Sequence, residues 1–415
     1  MRINNSSLST VALTVIGVIF LSGWPTYHHN VLGGPAPLMY FAFTGLLVLL
    51  VVWRHPHTLL SLLREPLFYW FFISAFTGLV WLVFIDGHLD PDNRSWRHRF
   101  LLMLLFACCL VLVFSANERK FVWVMLGCAV FTAVSFWVDF LNPFMFVPYD
   151  VPGANPGRGA GLFVNANQAG NSLVAMCIAI MPFIPVRWRV FVMAIMLMGV
   201  FPTFSRSSML FAILVALVWI WRGQFDKKAL IVLLFIMLPV GLWGGSNLLT
   251  TGLESAEVPD ENLVTRLNFF TKLGETGDES AAARKRVAEY SLQKFYDNFL
   301  FGIGTGNTTV DSKKWDYRVS SHNMYLLFLL EQGIFGGILY LSFLGYIFAR
   351  SLLVMKYSET QQGGDIGLAL ILMAFYFSFI GLFSHTMLYE PVSILILAFL
   401  LAVSRRMDNR RGMMV

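Results

Sequence analysis

One histidine stands where the sequence predicts the beginning of a long apolar helix. His322 follows two serines and opens residues 322–349, a segment long enough to cross a bilayer. The partial positive charge at a helix N-terminus opposes protonation of an imidazole, so we expect a neutral ring that can accept a proton near pH 7. The same helix end would attract an anionic phosphate. A polar cap at the membrane interface is the alternative interpretation.

Arginines on distant segments could complete an anion site around this histidine. Arg206 interrupts an apolar run within a short serine-rich break, where it either extends to the interface or faces a polar cavity. Arg284, with Arg286 two residues later, lies in an amphipathic helix that is predicted to follow the capping box Thr276-Gly277-Asp278-Glu279. Arg284 falls on the same face as its apolar stripe, which consists of Ala288, Leu292, Phe295 and Phe299. Guanidinium groups form bidentate hydrogen bonds with phosphate oxygens, so these arginines favour a diphosphate ligand.

Glycines and asparagines precede two of the predicted helices. Arg158 begins a glycine-rich segment that contains Asn165 and Asn167 at the mouth of a membrane helix. Such residues allow a ligand to approach the backbone closely, although an asparagine-capped helix start is the alternative. The run Gly302-Ile303-Gly304-Thr305-Gly306-Asn307 is weak evidence for nucleotide binding, because neither a predicted strand nor a G-K-[ST] motif accompanies it.

The elements that must position these residues are predicted to be membrane helices. The chain is 57% hydrophobic and only 13% charged, against roughly 25% charged residues in soluble domains. We therefore predict an all-α integral membrane protein with about 12 transmembrane helices. All four cysteines fall in apolar segments and predict no disulfide. The predicted helices cover residues 8–23, 36–53, 66–85, 99–115, 121–140, 163–184, 189–204, 207–221, 229–245, 322–349, 365–384 and 391–404.

Charge asymmetry predicts the orientation of these helices. If the N-terminus is cytoplasmic, most basic residues outside the long segment 246–321 lie on the cytoplasmic side of the membrane, as the positive-inside rule requires. Both termini are then cytoplasmic, and residues 246–321 form one long, partly helical periplasmic loop. The chain is thus divided into residues 1–245 with nine helices, the loop, and residues 322–415 with three helices and a tail. This topology accounts for the net charge of +6 without nucleic acid.

The order of these motifs along the chain resembles the O-antigen ligase family. More broadly, it resembles the superfamily of O-antigen ligases, O-antigen polymerases and protein O-oligosaccharyltransferases. The resemblance covers residues 158–337 and rests on motif order, because no single motif is specific. This chain has Ala288 and Phe299 where the family often has an aromatic residue and a proline. The matching segments are Arg158 to Asn167, Ser205-Arg206-Ser207, Arg284, Gly302 to Asn307, His322-Asn323-Met324-Tyr325 and Glu331 to Gly336.

The resemblance implies a GT-C-like glycosyltransferase in the bacterial inner membrane, with its active site at the periplasmic face. The donor would be a glycan on undecaprenyl diphosphate and the acceptor a hydroxyl of the lipid A core oligosaccharide, with no metal, cofactor or nucleotide sugar. His322 would deprotonate the acceptor, and Arg206 and Arg284 would hold the diphosphate. Further substrate contacts would come from Arg158, Arg286, Asn165, Asn167 and Asn323.

Two alternatives remain open from the sequence. A polymerase or a protein O-oligosaccharyltransferase would use the same chemistry on another acceptor. A transporter of a lipid-linked sugar is an alternative from a different class, although its binding site is expected at the membrane midplane, whereas these polar residues cluster at one face. The sequence assigns no role to three acidic residues, Asp139, Glu331 and Glu390. Glu331, nine residues into its predicted helix, is as compatible with a structural hydrogen bond as with a site role.

Overall fold

The fold is a bundle of helices. The computed structural model describes residues 5–86, 94–143, 145–148, 151, 154, 157–225, 279–308, 314–316 and 320–410, and no strand occurs among these residues. The helices in chain order are α1 (Asn5–Leu21), α2 (Trp24–Asn30), α3 (Leu38–Arg54), α4 (Leu59–Leu63), α5 (Pro66–Asp86), α6 (Arg94–Ser115), α7 (Glu118–Leu141), α8 (Ala166–Ile180), α9 (Val186–Val200), α10 (Arg206–Trp221), α11 (Glu279–Asp297), α12 (Met324–Lys356), α13 (Gln361–Gly381) and α14 (Pro391–Arg410).

The predicted helices and the observed ones agree in position. Every predicted helix overlaps an observed one except residues 229–245, which lie outside the described residues together with loop residues 246–278. Within the described part of the chain, 6 helices are long and apolar enough to cross a membrane, or 8 if each bent helix pair is one span. The protein is therefore a multi-pass membrane protein, while the count of twelve spans stays a prediction.

Two bends add short helices where the sequence predicted loops. The bend between α1 and α2 measures 52°, and that between α3 and the segment containing α4 measures 116°. Gly23 makes the first bend possible because its φ of 79° is in the left-handed region that glycine tolerates, and Pro25 then fits the first turn of α2. Part of the predicted outer loop 24–35 is therefore the helix α2.

The most buried helix is α8, and it brings α10 close to itself. Leu173, Val174 and Ala175 on successive faces are all fully buried, as expected of a helix that is apolar all round. A Cβ at Gly170 would lie 2.8 Å from the Ser208 Oγ, so glycine permits this close approach. The Ser208 hydroxyl donates to the Asn171 Oδ1 at 2.7 Å. Packing and this hydrogen bond hold the two helix N-termini side by side.

α11 packs against α12 with a face that differs from the predicted stripe. Val287, Ser291 and Phe295 are buried and four residues apart, and Val287 and Phe295 pack in a cluster with Leu326 and Leu330 of α12. The predicted stripe was wrong at two positions, because Leu292 is 41% exposed and Phe299 is 44% exposed. The reason is that the helix faces α12 with the side that carries Val287, rather than with the side that carries Leu292.

The glycine-rich run docks onto a break in α12. Gly333 has φ 63° and ψ −150° inside that helix, and a Cβ there would lie 2.2 Å from the Leu300 carbonyl oxygen. The backbone N–H of Ile303 donates to the Leu330 carbonyl at 2.7 Å, and that of Ile334 donates to the Phe299 carbonyl at 2.9 Å. The glycines therefore serve close backbone packing between this run and α12.

A buried ion pair reinforces this contact. Glu331 of α12 accepts from the Arg99 guanidinium of α6 at 2.5 Å and from the backbone N–H of Gly306 at 2.9 Å. Both charged side chains are almost fully buried. Glu331 is thus a structural hydrogen-bond partner, and it ties the segment after α11 to two membrane helices.

Candidate active site

One cavity of about 820 Å³ collects most of the residues that the sequence singled out. Its volume lies in the range of roughly 300–1,000 Å³ that is usual for ligand sites. It is formed at one end of the bundle by the connection between α13 and α14 and by ends of several helices. Its lining includes Asn165, Asn167, Arg206, Arg284, His322, Asn323, His385 and Glu390.

Three helix N-termini meet at this cavity. The Asn165 side chain caps α8 by accepting from two backbone N–H groups, and Asn323 caps α12 by accepting from the Leu326 N–H. α10 begins at Arg206 itself. Since each helix N-terminus carries a partial positive charge, the three together favour an anionic ligand. The asparagine-cap interpretation holds for Asn165, and the residue also lines the cavity.

Basic side chains add to the positive potential of the helix ends. Arg206 of α10 and Arg284 and Lys285 of α11 all line the cavity. They come from segments far apart in sequence, and the docking of α11 onto α12 brings Arg284 near His322. Such a group of cations can bind a multiply charged anion such as a diphosphate.

His322 lies just before α12 rather than in its first turn. Asn323 is the N-cap, and His322 precedes it with a left-handed φ of 41°. Burial, and secondly the positive charge of Arg284, lowers the pKa of His322 below its ordinary value of 6.5. The ring is therefore neutral near pH 7, as the sequence predicted. Burial and the charge of Arg284 are causes that the prediction from the α12 dipole did not include.

A second histidine and a carboxyl group lie beside His322. The rings of His322 and His385 have centroids 5.1 Å apart at an interplanar angle of 65°. Burial, and secondly His322, lowers the pKa of His385 to about 4. Burial also raises the pKa of Glu390 well above its usual range, against a hydrogen bond from the Thr386 hydroxyl. His385 is consequently neutral near pH 7, and the neutral form of Glu390 is favoured.

Arg158 and Arg286 do not line the cavity. The Arg158 Nε donates to the Thr203 carbonyl at 2.8 Å, and its guanidinium also donates to the Asn167 Oδ1 at 2.8 Å. Arg158 is buried and orients Asn167, which does line the cavity. Arg286 is exposed on α11. A direct substrate contact by either arginine is therefore not supported by its position.

Asp139, to which the sequence gave no role, holds the loop before α8. Its Oδ2 accepts from the backbone N–H of Ala160 at 2.8 Å and of Gly161 at 3.0 Å. Gly159 must be small here, because a Cβ would lie 2.2 Å from the Phe136 carbonyl oxygen. The glycines after Arg158 thus allow this loop to pack tightly on α7.

Sequence reasoning missed part of the lining and left Glu390 unassigned. Asn171, Lys285, His385 and Thr386 line the cavity as well. The signal for two of them was the polar break Ser384-His385-Thr386 between two apolar helices, on the side predicted to be periplasmic. A histidine in such a break could have been grouped with His322 by topology alone.

A comparison with known families identifies the central part of the chain. Residues 191–341 match the family model described as O-Antigen ligase, a segment that contains Arg206, Arg284 and His322. His385 and Glu390 lie beyond it. No curated protein matches the chain. Residues 191–341 are therefore similar to the O-antigen ligase family, as the motifs predicted, and the chain is a multi-pass membrane protein.

Proposed function

We propose that this protein transfers a polysaccharide en bloc from undecaprenyl diphosphate to a hydroxyl of the lipid A core oligosaccharide at the periplasmic face. The observation that carries the proposal is that Arg206, Arg284 and His322 line the same cavity. A diphosphate leaving group needs cations, and a hydroxyl nucleophile needs a neutral base. This cavity supplies both kinds of group.

Arg206 and Arg284 would stabilise the departing diphosphate. In glycosyl transfer the anomeric carbon gains positive charge while the leaving group gains negative charge. Fixed cations and helix N-termini near the leaving oxygen lower the energy of the transition state more than that of the bound donor. Asn165, Asn167 and Asn323 engage their Oδ1 atoms within the protein, so their amide nitrogens are the groups that would donate to the substrate.

His322 would act as the base. A ring nitrogen takes the proton of the acceptor hydroxyl as its oxygen bonds to the anomeric carbon, and the bond from that carbon to the diphosphate oxygen breaks. A single displacement of this kind inverts the anomeric centre. The lowered pKa of His322 supports this role, because the ring is unprotonated and able to accept at neutral pH.

The experiment that tests the proposal is transfer by the purified protein in detergent, with a lipid-diphosphate glycan donor and a lipid A core acceptor. Loss of a general base typically slows a reaction by about 10²- to 10⁴-fold, so His322→Ala should lose that much activity while remaining folded. His57→Ala, at an exposed histidine before α4, is the matched control and should retain activity. Transfer by His322→Ala at the wild-type rate would remove the base from the mechanism.

The products of the same reaction distinguish the alternatives. Glycosylated lipid A core supports the ligase, whereas a longer glycan that stays on the carrier indicates a polymerase. A glycosylated peptide acceptor indicates a protein O-oligosaccharyltransferase. Product formation in detergent, where no membrane gradient exists, excludes obligatory transport.

A further inference from the structure

Three buried polar atoms of the cavity-lining residues have no hydrogen-bond partner in the described part of the chain. They are the Ser321 Oγ, the His385 Nδ1 and the Glu390 Oε2. An unpaired buried polar atom destabilises the folded state, so three around one cavity require an explanation. Because all three residues line the cavity, a ligand bound there is the natural partner for their polar groups.

The chemistry of the three groups favours a sugar over a phosphate. A serine hydroxyl both donates and accepts, a neutral imidazole donates from one nitrogen and accepts at the other, and a carboxyl group offers oxygens. A phosphate offers mainly acceptors, and it would be repelled by any ionised form of Glu390. Adjacent sugar hydroxyls both donate and accept, so they can pair with all three residues at once.

The position of these residues favours the acceptor sugar over the donor diphosphate. Ser321 precedes His322 in the chain, and the His385 ring contacts the His322 ring. The base must lie next to the hydroxyl that it deprotonates, so a sugar beside His322 is the one that carries the nucleophile. The cations Arg206, Arg284 and Lys285 belong to α10 and α11, whereas Glu390 and His385 belong to the α13–α14 connection.

We infer that Ser321, His385 and Glu390 form a binding subsite for a neutral acceptor sugar, separate from the arginines that hold the diphosphate. The inference rests on the proposed function and names residues outside the segment that matches the family, His385 and Glu390. The raised pKa of Glu390 supports it, because a protonated carboxyl group donates one hydrogen bond and accepts others without carrying charge.

Substitutions at Glu390 test the subsite through the separate kinetic constants of the two substrates. Glu390→Leu should raise the acceptor KM about tenfold, the factor that corresponds to about 1.4 kcal/mol, while the donor KM stays unchanged. Glu390→Gln keeps a neutral hydrogen-bonding group of the same shape and should change the acceptor KM by less than about threefold, under 0.7 kcal/mol. His385→Phe should also raise the acceptor KM. Glu359→Leu, an exposed acid between α12 and α13, is the control.

Binding measured without the donor separates this inference from the proposed function. A fluorescent lipid A core glycolipid should bind the wild-type protein in nanodiscs and bind Glu390→Leu more weakly. If that pattern appears but no glycoside forms, the subsite stands and the proposed transfer fails. If transfer occurs and Glu390→Leu raises the donor KM as much as the acceptor KM, or lowers only kcat, the subsite is refuted. A severe loss of kcat in Glu390→Gln also refutes it, because it would make Glu390 an ionised catalytic group.

Discussion

Three residues around the cavity have a backbone conformation that side chains rarely adopt. Val164, Phe204 and His322 have φ values of 66°, 46° and 41°, and each immediately precedes the N-cap of a helix. A non-glycine residue in such a conformation costs about 1–3 kcal/mol and persists only where the surroundings enforce it. His322, in this conformation, lines the cavity. The cost supports a functional rather than a capping role for this histidine.

The pH dependence of transfer should report the environment of His322. Because transfer requires the neutral ring, activity should rise with pH through the His322 pKa and level off above it. The pKa lies below 6.5, so the acidic limb of kcat/KM should lie below pH 6.5. Arg284→Gln removes a charge that disfavours the imidazolium, so the pKa should rise and the limb should move to higher pH.

Arg206→Gln is the matched control for that shift. Both arginines line the cavity, and both substitutions should lower activity, but the positive charge that lowers the His322 pKa is that of Arg284. The Arg206→Gln limb should therefore stay where the wild-type limb lies. Equal shifts in the two variants, or none in Arg284→Gln, would contradict this account of the histidine.

For individual residues, the sequence could predict which residue types lie close together, but not which of them line the cavity. Arg206, Arg284 and His322 were predicted from charge and topology, and they share one cavity. Arg158 was predicted as a further substrate contact, yet its guanidinium is engaged by Thr203 and Asn167. The difference depends on where a backbone carbonyl lies after packing, which no local pattern encodes.

The geometry of the site depends on how the segment after α11 is held to α12. Gly302 allows this segment to approach closely, since a Cβ there would lie 2.4 Å from the Leu330 carbonyl oxygen. The Glu331 carboxylate then bridges Gly306 and Arg99. Arg284 and His322 belong to the two elements joined in this way, so their separation is fixed by backbone contacts some distance from the cavity.

A pair of glycine substitutions in α12 tests this dependence. Gly333→Ala should destabilise the protein by about 1–3 kcal/mol, because its backbone is left-handed and its Cβ would meet the Leu300 carbonyl. Transfer should fall as well, since the shift separates Arg284 from His322. Gly345→Ala, in the same helix with no atom within 4 Å of a new Cβ, should be neutral or slightly stabilising. Thermal unfolding in detergent and transfer assays measure both effects, and equal behaviour of the two variants would exclude a structural role for the break.

Helix positions followed from hydrophobic runs, whereas the break in α12 could not be predicted. Residues 322–349 are largely apolar with several glycines, and the polar pair Glu331-Gln332 before Gly333 does not by itself predict a helix break there. The distinction between Gly333 and Gly345 comes from Leu300, which is distant in sequence. Its carbonyl oxygen lies against Gly333, whereas a Cβ at Gly345 would have no atom within 4 Å. The stripe on α11 was misjudged for a similar reason, since Val287 and Leu292 are both apolar and tertiary packing buries only Val287.

The cavity and a set of ion pairs lie at opposite ends of the bundle. Glu390 precedes α14, and Arg405 lies fifteen residues along it, about 22 Å away at 1.5 Å per residue. Arg405 pairs with Glu65 at 3.3 Å, and Arg189 pairs with Asp365 at 2.7 Å near the start of α13. The far end of α13 leads to the cavity residues. The end with these paired arginines is the one that charge asymmetry predicts to be cytoplasmic.

Cysteine labelling in intact spheroplasts tests this orientation of the whole molecule. Glu289→Cys places a thiol on the exposed surface of α11, near the cavity, and should react with a membrane-impermeant maleimide. Glu359→Cys, exposed between α12 and α13 at the opposite end, should react only after permeabilisation. The native cysteines lie in apolar helices and should stay unlabelled, so the wild-type protein is the background control. The reverse labelling pattern would put the cavity at the cytoplasmic face, where a periplasmic lipid A core acceptor cannot reach it.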